Sequence, residues 1–114
     1  MTRRVGRIGD RRTFRQLRRS SRRVRRGLVT VTWTPDGSQP VPRVAYAIGR
    51  RVGGAVERNR VRRRLRAICD EVGTTLPPGA YLVGVAPGAA QSSFRELRAM
   101  AREALEAVTG RELG

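Results

Sequence analysis

Gly49 to Arg66 reads GRRVGGAVERNRVRRRLR. Glycines at 49, 53 and 54 disfavour a helix and mark a loop. From Ala55 onward neither Gly nor Pro occurs until Gly73, so the spacing predicts a helix over Ala55 to Val72. Along it Val61, Leu65, Ile68 and Val72 recur at intervals of four, three and four residues, which places them on one stripe of a helical period. That stripe is the expected core face. At roughly 100° per residue, Arg62, Arg66, Asn59, Arg63 and Arg60 fall on the opposite side within an arc of about 160°. So many guanidinium groups on one side repel one another and destabilise the isolated helix, which makes a polyanion the natural partner. Arginine also offers planar, bidentate donors that match phosphate.

The rest of the composition supports this. The chain has 114 residues and reads as one domain, 1–114, long enough for a single modest core. Its formal charge is +16, and all 25 basic residues are arginines. Residues 1 to 69 hold 21 Arg and 3 acids, a net of +18; residues 70 to 114 hold 4 Arg and 6 acids, a net of −2. The polyanion is therefore met by the first two thirds. Absence of histidine and a single cysteine remove a His general base, Ser-His and Cys-His pairs, and a His/Cys metal cluster. Cys69 lies at the edge of the apolar stripe and reads as a small buried hydrophobe. No apolar segment suits a secretory signal or a membrane span, so the chain reads as intracellular with no membrane partner.

Working outward, Met1 to Arg7 reads as a flexible basic arm. Asp10 is positioned to cap a short helix through about Arg19, with Phe14 and Leu17 on one face. Arginines at 11, 12, 15, 18 and 19 surround Phe14, so this aromatic reads either as core or as a base-stacking surface. Leu28 to Thr34 and Arg43 to Ile48 read as strands of an antiparallel hairpin. Val44, Tyr46 and Ile48 face one side of the second strand, while Ala45 and Ala47 leave room on the other; Trp33 and Tyr46 are expected in the core. After the arginine helix, Tyr81 to Ala86 is an apolar strand, and Ser93 with Glu96 forms a capping box for a closing amphipathic helix.

The run Arg50, Arg51, Gly53, Ala55, Val56, Arg58, Asn59, Arg60, Arg62, Arg63, Leu65, Arg66 resembles the signature of the bacterial ribonuclease P protein subunit family. The likeness extends over most of the chain. It implies an α+β single domain in the order αβββαβα, a small mixed sheet covered by helices, of a ribosomal-protein-like fold. A further strand is implied near Arg22 to Val24, as is a parallel strand after the arginine helix. It implies that a catalytic RNA, using Mg2+ held mainly by that RNA, removes the 5′ leader of precursor tRNA in the bacterial cytoplasm. The protein binds no metal of its own and supplies no catalytic residue. Arg50, Arg51, Arg58, Asn59, Arg60, Arg62, Arg63 and Arg66 would bind the catalytic RNA. Phe14, Arg11, Arg15, Arg18, Ala45 and Ala47 would form the leader-binding cleft. Two positions depart from the family's habit: Arg18 stands where a second cleft aromatic is frequent, and Ser21 where glycine is frequent. The competing readings are a structural RNA-binding protein of ribosomal type, without a processing role, and more weakly a DNA-packaging protein.

Overall fold

The computed structural model describes residues 5–20 and 22–113. The first four residues of the expected arm, the departure at Ser21 and the terminal Gly114 lie outside them. The elements are β1 (Gly6–Arg7), α1 (Arg11–Arg19), β2 (Arg23–Arg26), β3 (Val29–Pro35), β4 (Arg43–Ala47), α2 (Ala55–Val72), β5 (Gly79–Val85) and α3 (Phe94–Thr109). The αβββαβα order is present, with β1 added in front. Short 3-10 turns at Arg50–Val52 and Ala89–Gln91 precede α2 and α3.

The helices end where their chemistry directs. Asp10 accepts the backbone N–H of Thr13 at 2.9 Å and its hydroxyl at 2.6 Å, which caps α1. Those bonds, side chain first, hold the Asp10 carboxyl below its ordinary range. In α3, Ser93 accepts from the Glu96 backbone at 3.1 Å while the Glu96 carboxylate accepts from the Ser93 backbone at 2.9 Å.

Strand order is β1-β4-β5-β3-β2. The expected hairpin between β3 and β4 does not form, because β5 lies between them, antiparallel to β3 and parallel to β4. The reason lies in the connections. The loop from Asp36 to Pro42 is long and holds two prolines, so it does not dictate a tight reversal. The tight turn falls instead at Gly27 and Leu28, where Gly27 takes φ +58 and a side chain would collide with Met100. It joins β2 to β3, so the implied extra strand exists but runs over Arg23–Arg26. The arm reading also fails for Val5 to Arg7. Val5 is buried, and Gly6–Arg7 pairs parallel with Arg43 and Val44 at the sheet edge.

The sheet separates two layers. On one face Val29, Val31, Trp33, Val44, Tyr81 and Val83 pack against the stripe Val61, Leu65, Ile68 and Val72 of α2 and against Leu97, Ala101 and Leu105 of α3. Trp33 and Tyr81 stack with centroids 5.8 Å apart. Cys69 is fully buried there, and burial pushes its thiol up to about 12, so it is a packing group rather than a nucleophile. On the other face a smaller cluster of Ile8, Leu17 and Ala80, with Phe14, Ala45 and Leu82 half-buried beside it, holds α1 to the sheet.

Candidate nucleic-acid interface

The buried stripe fixes how α2 rolls on the sheet and so decides which arginines face outward. Arg60, Arg63 and Arg66 are exposed with Asn59, while Arg58 and Arg62 are partly covered. Arg50 and Arg51 are exposed on the turn before α2, held there by the buried Val52. The motif residues therefore form one basic surface, but they are not equivalent. Arg60 donates to the carbonyl oxygen of Ala90 at 3.2 Å, and Arg64, whose role was not legible locally, donates to that of Ser92 at 3.1 Å. Both tie α2 to the turn that leads into α3. Arg62 donates to Asn59 Oδ1 at 2.8 Å, which orients it along the helix. The Nε of Arg58 is buried without a hydrogen-bond partner, an unsatisfied donor that costs stability until a ligand accepts from it.

On the opposite face of the sheet, strand register places side chains in rows. One row is Arg43, Ala80 and Thr34; the next is Ala45, Leu82, Thr32 and Arg23; the third is Ala47, Gly84, Thr30 and Arg25. Helix α1 crosses at the first row. Its N-terminal end is tied down by Arg43 donating to Asp10 at 3.3 Å, and its C-terminal end by the Ser20 hydroxyl donating to the Trp33 carbonyl at 2.8 Å. The third row lies beyond the cluster that packs on α1. It is floored by Ala47, which is exposed, and by Gly84. The result is a trough beside α1, with an arginine at its β2 end.

Thr13 and Leu17 are the buried side of α1, Phe14 sits at their margin, and Arg11, Arg15 and Arg18 are exposed on Phe14's other flank. Phe14 packs against the cluster of Ile8, Leu17 and Ala80 and is half-buried there. The sequence reading missed Arg23 and Arg25. Alternation along β2 would have put both on this face once the strand itself was recognised.

Two basic surfaces on opposite faces of one small mixed sheet define an α+β protein built to hold nucleic acid. Known proteins agree. The family model described as Ribonuclease P matches residues 2–109. The ribonuclease P protein component of Acidothermus cellulolyticus is 44% identical over 84 residues, spanning 73% of this chain and 70% of that protein. That of a Nocardioides species is 43% identical over 95 residues, 80% of each. The Staphylococcus aureus RNase P protein superposes with a TM-score of 0.80 at 16% identity, over 88% of this chain and 92% of that one, which supports the fold. This chain belongs to the ribonuclease P protein family. It is a subunit of the holoenzyme that processes tRNA 5′ ends, in partnership with ribonuclease P RNA. Nothing in these likenesses favours the ribosomal-type alternative. Among the described residues no helix is long and apolar enough to cross a membrane.

Proposed function

We propose that the α2 surface, with Arg50, Arg51, Arg58, Asn59, Arg60, Arg62, Arg63 and Arg66, docks on the catalytic RNA, while the trough holds the 5′ leader of precursor tRNA. The observation that carries this reading is the third row: small side chains leave an open path on the sheet face that α1 also packs on, and α1 bears Phe14 with Arg11, Arg15 and Arg18 exposed on its flank. A single strand laid there stacks a base on Phe14 and sets its phosphates against the arginines.

In this reading the chain positions and neutralises, and the chemistry belongs to the RNA. The Mg2+ ions, in the same reading, belong to the RNA. Mg2+ held by the RNA would supply Lewis-acid chemistry at the scissile phosphate and a more acidic bound water. Arginines beside the RNA lower the repulsion between leader and catalytic RNA, so less Mg2+ is needed to bring them together. The setting is the bacterial cytoplasm, where precursor tRNA is made.

The test is cleavage of precursor tRNA by a bacterial ribonuclease P RNA at low Mg2+, with and without this protein. Stimulated cleavage is expected. Retention of RNA without stimulation would instead match a structural RNA-binding role.

A further inference from the structure

A second hollow lies at the β1–β4 edge, and of the residues assigned to the leader only Ala45 lines it. It is a groove of about 620 Å³ between α2 and the β1–β4 edge. Its floor is apolar and comes from Val5, Val44 and Tyr46, and its α2 wall is Arg62, Arg63, Arg66 and Ala67, with the carboxylate of Asp70 one turn beyond Arg66. The same three arginines also line a hollow of about 420 Å³ with Val56 and Asn59 toward the start of α2. Arg62, Arg63 and Arg66 therefore form a ridge with a depression on each side.

Phosphate contacts alone need no depression, since arginines on a convex helix meet phosphates well. A wall of guanidinium beside an apolar, aromatic-bearing floor combines the two chemistries of a nucleotide: an anionic phosphate and a flat heterocycle with little charge. The volume falls within the range of about 300–1,000 Å³ of small-molecule sites. Tyr46 is half-buried and packed against the core cluster, which holds its ring in place at the groove floor. The ridge belongs to the surface assigned to the catalytic RNA, so the inference rests on that reading.

We infer that this groove takes one unstacked nucleotide of the catalytic RNA, its base against the Tyr46 floor and its phosphates on Arg62, Arg63 and Arg66. The protein then recognises a bulged or looped-out position, where a base is free to leave its stack, rather than a continuous helix. RNA recognised by charge alone would ignore the shape of the groove. RNA recognised by insertion depends on it.

Ala67 allows the two to be separated. It is exposed on the groove wall, so Ala67→Leu fills the hollow, keeps every arginine and preserves helix propensity. Ala99→Leu, on the exposed side of α3, is the matched control. Expected for Ala67→Leu is a loss of catalytic-RNA affinity on the order of tenfold, an unchanged slope of log affinity against log salt, and an unfolding midpoint like that of the control. A second arm titrates the protein with inorganic phosphate and with adenosine and uridine 5′-monophosphates, following the backbone amides of Val44 to Tyr46 and Ala67 by NMR. The monophosphates are expected to shift these amides and to bind several-fold tighter than phosphate, an advantage that Ala67→Leu removes. Equal binding of phosphate and monophosphates, or wild-type RNA affinity in Ala67→Leu, overturns the inference. So does a loss seen only with leader-bearing precursor tRNA, which would assign the groove to the leader. Stimulation of cleavage by the unaltered protein is read separately, so a groove that takes no base leaves the proposed function standing.

Discussion

Arg60 and Arg63 sit three positions apart, both exposed and both on the basic side of α2, yet the structure gives them different work. Arg63 makes no side-chain hydrogen bond or ion pair among the described residues, whereas Arg60 spends a donor on the Ala90 carbonyl. Arg63→Ala is expected to change unfolding free energy by less than about 0.5 kcal/mol, to weaken binding to the catalytic RNA and to flatten the log–log salt slope by about one unit. Arg60→Ala is expected to add to its binding loss a stability loss of about 1 kcal/mol, from the lost hydrogen bond. Equilibrium denaturation together with binding at several salt concentrations checks both; equal stability in the two variants would show that the Ala90 contact contributes nothing. No local pattern could have separated these arginines, because Ala90 is 30 positions away. Periodicity names the side of a helix a residue occupies, but not what the chain brings to that side later.

Helix α1 shows what periodicity does supply. Its start at Asp10, its end at Arg19 and the sharing of one face by Phe14 and Leu17 were all legible, as were the bounds of α2 and the capping box of α3, because these depend on neighbours within a turn. Which strands pair with which was not legible. β1 is two residues long and carries no pattern, and β5 finds its partners by burial against both helices rather than through any adjacent turn. In the proposed leader reading Phe14 would have two duties, packing and stacking. Phe14→Ala is expected to weaken holoenzyme binding of precursor tRNA with a leader of several nucleotides by about 1–3 kcal/mol, while mature tRNA binds as before. Phe14→Leu keeps most of the packing on Ala45 and Leu82 but gives up the ring, and it is expected to show the same selective loss with better retained stability. A folded variant that binds both tRNAs with unchanged relative affinity would leave the trough to the arginines alone.

The molecule as a whole carries +16 on 114 residues, and few of those charges are internally matched. Among the described residues the ion pairs include Asp10 with Arg43, and Glu71 with Arg98 and Arg102. The free protein therefore stores like-charge repulsion that its RNA relieves. Its thermal midpoint is expected to rise as NaCl goes from roughly 0.01 to 0.5 M, over which the screening length falls from about 30 Å to a few ångströms. A midpoint that is flat or falls by scanning calorimetry would show that the native charges are already compensated. The sheet that carries this charge has its own order of assembly. β5 is the last strand to leave the ribosome, yet it is the middle of the sheet, hydrogen-bonded to β3 on one side and β4 on the other. Until Val85 has emerged, β3 and β4 each present a bare edge, and the arginine helix, which follows β4 in sequence and precedes β5, has no completed floor to lie on. The nascent chain thus exposes its most basic segment before it can fold, a period during which RNA already present around the ribosome can reach it, and the cell completes the architecture with a strand made after the binding helix.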